Sequence, residues 1–201
     1  IFHNMRTLSN TVCPFSSGRR YYSLNDYCKE TFGEKVYRLS LSGGMTCPNR
    51  DVTYSTLGCA FCSEGGSGDF AASASLPVSQ QLSDAKMRIV TKTNCSKFIA
   101  YFQSYTNTYA PIAYLRSIYE EALQSPAIVA LSIGTRSDCL GKDVLLLLSE
   151  LQKEYPHKQI WIELGLQTMH NDTLRQMNTH TTVEQFDSAV DALTRIHIPV
   201  I

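Results

Sequence analysis

The chain has 201 residues, enough to bury one full hydrophobic core. Its 18 basic and 18 acidic side chains balance, so no global field advertises a nucleic-acid partner, and no apolar run approaches the length of a membrane span. Seven cysteines, odd in number and irregularly spaced, exclude a simple disulfide framework and point to a reducing compartment and metal binding.

Residues 1–20 carry no acidic side chain and several Ser, Thr and Arg, which echoes a transit peptide, but their apolar and basic positions form no convincing amphipathic face and they read rather as a flexible tail. Both ends look cut, the last residues apparently entering a strand. The first fifty residues are locally basic, a weak pointer to an anionic partner. A short helix is expected over 21–32 with Ser23 or Asn25 as cap, its Tyr21, Tyr22, Tyr27 and Phe32 packing over a first strand at 36–41. A polar, glycine-rich loop follows, then a helix over 79–90 and a strand over 97–103. Pro111 suits the first turn of a helix whose Ile112, Leu115, Tyr119 and Ala122 share a face. An apolar strand at 127–133 leads into a loop at 134–141 and a leucine-rich helix at 142–154. The next strand spans 159–166. Asn171 is expected to cap a helix at 172–177. Thr181 and Glu184 spell a capping box for a helix with Val183, Phe186, Val190 and Leu193 on one face. A fifth strand begins at 198.

Strands alternating with helices predict an α/β fold: a mainly parallel sheet with right-handed crossovers. In such sheets chemistry sits in the loops beyond the strands' carboxyl ends. Each polar cluster of this chain falls there: the cysteine loop, QSYTNTY, GTRSDC and GLQTMHND. The cysteine loop stands out. Cys59 and Cys62 form a C-x-x-C that can aim two sulfurs at one centre, and Cys47 can fold back as a third. Three soft thiolates suit an iron–sulfur cluster or zinc. A structural zinc site closes with four ligands, and no fourth is evident, whereas a cluster on three cysteines leaves one iron open.

These residues resemble the cluster-binding loop of the radical S-adenosylmethionine (SAM) superfamily. More narrowly they resemble the YhcC/YtqA-type family, related to the radical SAM domain of the Elongator catalytic subunit. The resemblance runs from about Tyr21 to the end, through YYSLNDYCKETFGEKVYRLSLSGGMTCPNRD, GCAFCSEGGSGDF, FIAYFQSYTNTYAP, LSIGTRSDC and IELGLQTMHNDTLRQMN. The superfamily's C-x-x-x-C-x-x-C is widened here, eleven residues separating Cys47 from Cys59, as in this branch. Ser137 departs from it, standing where the family usually has proline.

The resemblance implies a partial, open TIM-type βα barrel over 21–201, incomplete at its C-terminus. It implies that Cys47, Cys59 and Cys62 ligate a 4Fe–4S cluster whose open iron binds SAM. Phe61 would lie near the adenine, or else pack into the core. Gln103 and Ser104 hold the place of a SAM-binding turn, without its glycines. Arg136 contacts SAM or substrate, or pairs with Asp138 to hold its loop. Glu163, a carboxylate in an apolar strand and costly unless partnered, would meet SAM's ribose or amino group, with Gln167 beside it. His170 and His180 read as capping or surface residues, and Cys28, Cys95 and Cys139 as structural or incidental, with a role for Cys139 open because it sits on the active face. The implied partners are SAM, a flavodoxin- or ferredoxin-like electron donor and tRNA as candidate substrate, in a cytoplasmic enzyme. The other classes to separate from it are an iron–sulfur electron carrier and a zinc-binding module, neither using SAM.

Overall fold

A computed structural model describes residues 20–68, 71–91 and 93–201. The expected tail therefore lies, apart from Arg20, outside the described residues. Four strands, β1 (Tyr37–Leu41), β2 (Phe98–Phe102), β3 (Ile128–Arg136) and β4 (Gln159–Gly165), form one sheet in the order β1-β2-β3-β4. Every pairing is parallel. Parallel neighbours taken in sequence order, joined by crossovers of one hand, put their connecting helices on one face. Those helices are α2 (Val78–Val90), α3 (Ile112–Gln124), α4 (Lys142–Glu154) and α6 (Val183–Arg195), with a short α5 (Asn171–Gln176) before the last. Beyond β4, Ile201 N–H donates to Ile162 O (2.8 Å) and Ile162 N–H to Pro199 O (3.0 Å), so the expected fifth strand does begin beside it.

Side-chain alternation divides the strands between two cores. Leu39, Leu41, Phe98, Phe102, Leu131, Ile133, Ile160 and Ile162 face the helices and meet Leu115, Tyr119, Leu147, Leu148 and Leu193. The inner face is covered differently. Helix α1 (Leu24–Phe32) lays Cys28 against Ile99, Ala130 and Trp161. Tyr27 sits edge-on to Trp161 at 5.8 Å, and Gln159 Oε1 accepts from both the Tyr27 hydroxyl (2.6 Å) and the Trp161 indole (2.8 Å). These rings were expected over the first strand. Of the four, Tyr27 and Phe32 pack on Trp161 of β4 instead. Tyr21 remains 60 % exposed. Helix α1 begins at Leu24, three residues after the expected start, and of the two expected caps it uses Ser23, whose Oγ accepts from Asp26 N–H in a reciprocal box.

Three local expectations need correction. Strand β3 runs three residues further than its apolar stretch, since Gly134, Thr135 and Arg136 pair with Glu163, Leu164 and Gly165. Helix α5 starts at Asn171 with His170 in the cap position, and the Asn171 side chain instead accepts from Val183 N–H, 2.9 Å away. The capping box of α6 is Thr182 with Gln185, one residue beyond the Thr181–Glu184 pair. Replacing Thr182 by Ala is expected to cost about 1 kcal/mol, read as a lower urea midpoint at unchanged m-value.

Candidate functional site

The loop that follows β1, described over 42–68, leaves the carboxyl end of the strand and folds back over the sheet. Arg50 N–H donates to Cys47 O (2.8 Å) and Cys62 N–H to Cys59 O (3.0 Å), which makes two tight turns out of the cysteine-bearing segments. The Arg50 guanidinium joins them by donating to Cys62 O (3.2 Å) and Ser63 O (2.8 Å). Further along, Gly66 adopts φ +63°, and a methyl group there would overlap the Tyr105 ring, so only glycine allows the loop to lie this close to the turn after β2.

As a result all three cysteines open onto one cleft of about 300 Å³ above the strand ends. Phe61 stands at its rim, 47 % exposed. The cleft also takes in Gln103, Arg136, Glu163 and Gln167, so most of the residues singled out in the sequence come together. Gln103 Nε2 donates to Ser67 O (2.7 Å) and ties β2 to the cysteine loop. Gln167 turns the chain at the end of β4 with φ +71°. Ser104 is buried beneath the loop instead, where its hydroxyl fills the space a side chain on Gly68 would need.

The floor of the cleft is a polar cluster on the inner faces of the strands. Glu163 Oε1 accepts from Ser132 Oγ (2.6 Å) and pairs with Arg38 Nη2 (3.0 Å). The Arg38 guanidinium covers the Tyr101 ring, 4.8 Å from its centre. The carboxylate expected to be costly in an apolar strand is thus partnered. Burial, and then the charge and hydrogen bond of Glu163, push the Tyr101 phenol up to about 12, with Arg38 opposing. A folded value above the ordinary 10.0 means that folding favours the protonated phenol, so this stabilisation is present below pH 10 and lost as pH rises toward 12. Tyr101→Phe is expected to flatten the fall of unfolding free energy across that interval, measured by urea denaturation at stepped pH. An unchanged slope would refute the coupling.

One wall, at Thr179, is backed by contacts that the sequence did not flag. Asn49 is fully buried, and its Nδ2 donates to Asn178 O (2.7 Å), Thr179 O (3.2 Å) and Cys59 Sγ (3.1 Å). Asn178 Nδ2 returns a bond to Gly58 O (2.7 Å), and Ala60 N–H donates to Met177 O (3.0 Å). The cysteine loop is thereby clamped to the connection between α5 and α6. Arg136 grips the same connection, donating to Thr179 O (2.8 Å) while its guanidinium holds both Asp138 oxygens (2.9 and 2.8 Å). Burial works against the Arg136 charge, but Asp138 outweighs it and the guanidinium holds its proton more tightly than usual. The Cys59 thiol is raised by burial, with Asn49 and Arg136 both opposing. On the loop's outer side, Cys139 lines a second cleft of about 490 Å³ with Tyr54 and Tyr109. Burial and Asp138 push its thiol up to about 12, which keeps it protonated and unreactive at neutral pH.

The donor set fits an iron–sulfur group: three thiols on one cleft, an amide N–H on one sulfur, and a guanidinium beside them. Among the described residues no three His, Cys, Asp or Glu side chains gather into a site for a single metal ion.

No family model matches the chain. It is 44 % identical over 172 residues to the uncharacterised protein YtqA of Bacillus subtilis (strain 168), a match covering 85 % of this chain and 52 % of that protein. The chain spans about half the length of the curated relatives it matches. Among solved structures, Elp3 of the archaeon Methanocaldococcus infernus superposes with a TM-score of 0.54 at 15 % identity, over 82 % of this chain and 36 % of Elp3. OxsB, a cobalamin-dependent S-adenosylmethionine radical enzyme, superposes with a TM-score of 0.52 at 18 % identity, over 80 % of this chain and 23 % of OxsB. The chain therefore has an α/β fold with a four-stranded parallel sheet, similar to the TIM-barrel-like fold of a radical SAM enzyme.

Proposed function

We propose that this chain is the cofactor-binding part of a radical SAM enzyme. One observation carries the reading above the others. Two thiols from a C-x-x-C turn and a third from the start of the same loop open onto one cleft, above the carboxyl ends of four parallel strands. A 4Fe–4S cluster bound there with SAM would supply one electron to SAM, releasing methionine and a 5′-deoxyadenosyl radical that takes hydrogen from the substrate. The chain's part is to bind, orient and exclude side reactions. Cys47, Cys59 and Cys62 hold the metal. Phe61 offers an aromatic face at the rim. Glu163, held by Arg38 and Ser132, presents an acceptor for hydroxyl or ammonium groups of the ligand. Gln103, Arg136 and Gln167 close the remaining sides, and Ser104 supports the loop from beneath.

The test is electron paramagnetic resonance on anaerobically reconstituted, dithionite-reduced protein, with and without SAM. A reduced-cluster signal that changes on adding SAM is the expected result. A signal indifferent to SAM would turn the reading into an electron carrier, and zinc without iron would overturn it.

The electron donor proposed is a flavodoxin- or ferredoxin-like protein, the compartment the cytoplasm, and the substrate tRNA. The basic residues near the start of the chain support that substrate class. Affinity for tRNA should fall steeply with salt as phosphate contacts are screened. Binding that is absent, or indifferent to salt, would remove tRNA as the candidate.

A further inference from the structure

We propose that Asn49 is the positioning residue of the cysteine loop: its amide fixes the Cys59 sulfur against the α5–α6 connection and tunes that sulfur through an N–H···S hydrogen bond. This rests on the cluster reading above and goes beyond it by assigning a role to a residue that is neither a ligand nor on the cleft wall.

The orientation of the amide follows from what surrounds it. Its nitrogen lies 3.1 Å from Cys59 Sγ, 2.7 Å from Asn178 O and 3.2 Å from Thr179 O. All three are acceptors, so the flipped amide would set an oxygen against two carbonyls and a sulfur. Two N–H groups thus serve three acceptors. The other end, Oδ1, is buried without a hydrogen-bond donor. The sulfur gives the amide a second task. Among the described residues Cys62 has no comparable donor, its sulfur lying 3.9 Å from the Ser67 hydroxyl. A donor on a ligating sulfur withdraws negative charge, which favours the reduced state of a metal–sulfur centre and raises its potential.

Asn178 supplies the control. Its side chain ties the same connection to Gly58 O without touching sulfur, and its φ of +55° is one that glycine adopts freely. Asn178→Gly therefore loosens the clamp and leaves the Asn49–Cys59 bond in place. The experiment compares wild type, Asn49→Ala, Asn49→Asp (same shape, no N–H) and Asn178→Gly. All are reconstituted anaerobically with iron and sulfide, and the midpoint potential and reduced-state paramagnetic spectrum are recorded.

The expected result is a more negative potential and altered g-values in both Asn49 variants. Asn178→Gly should keep the wild-type potential while yielding iron faster to a chelator. Loss of the cluster from both Asn49 variants while Asn178→Gly stays loaded also supports the assignment. A wild-type potential in Asn49→Ala, or an equal shift in Asn178→Gly, overturns it. Wild-type protein that takes up no iron and sulfide would sink the cluster reading itself, and is told apart because the failure appears before any substitution.

Discussion

Serine in place of Cys47, Cys59 or Cys62 is expected to reduce the iron and sulfide retained after reconstitution to near zero, while Cys139→Ser retains the wild-type amount. The contrast follows from where the thiols sit. The first three line the cleft and lie in neither apolar core, so each variant keeps its sheet, and the loss reports on ligation rather than on folding. Cys139 lies behind the loop, its thiol held protonated by burial and by Asp138. A serine hydroxyl is a hard, weakly acidic donor and a poor substitute for a thiolate toward iron–sulfur centres. Iron and acid-labile sulfide assays decide the matter. Wild-type iron in Cys59→Ser, or iron loss in Cys139→Ser, would place the metal elsewhere.

The second large effect is on stability. Arg136 and Asp138 form a doubly bonded ion pair whose side chains are only 13 % and 5 % exposed. Removing one partner from a buried pair leaves an uncompensated charge, so Asp138→Ala should lose about 3–5 kcal/mol. Arg136 would keep only its bond to Thr179 O and its place over the Tyr54 ring, 5.9 Å from the centre. The double variant Arg136→Met with Asp138→Leu should recover most of that loss, because no charge is then stranded. Denaturant titration of the three proteins measures both quantities. A loss below 1 kcal/mol in Asp138→Ala would mean that water reaches the guanidinium and the pair behaves like a surface one.

Much of the fold was legible because apolar periodicity and burial coincide. Leu115, Tyr119 and Ala122 share a helical face and are fully buried, and the α4 boundaries match the leucine pattern to the residue. The thiol loop was legible because soft ligands have few other uses in a polar, glycine-rich stretch. The end of β3 was not, since Gly134 and Arg136 carry no strand propensity and are extended only because β4 pairs with them. The cap of α6 slipped by one residue because four adjacent positions, Thr179 to Thr182, offer a hydroxyl or a ring nitrogen, and tertiary contacts choose among them. Asn49 lies within a stretch that carries the resemblance, yet nothing in the sequence assigned it a role. Asparagine in a turn is ordinary, and what sets this one apart is a contact with residues far along the chain.

That contact also fixes an order of events during synthesis. Asn49 leaves the ribosome 129 residues before Asn178. At ordinary translation speeds the gap lasts roughly 6 to 26 s. Cys47 is already made when it begins and Cys59 and Cys62 follow early in it, but the segment that clamps their loop does not yet exist. The nascent loop can then react with oxidants or stray metal ions, and on the proposed reading productive loading would wait until the α5–α6 connection is made. Slowing translation downstream of the cysteine loop should therefore lower the fraction of chains that emerge able to accept iron and sulfide, with no change in the sequence at all.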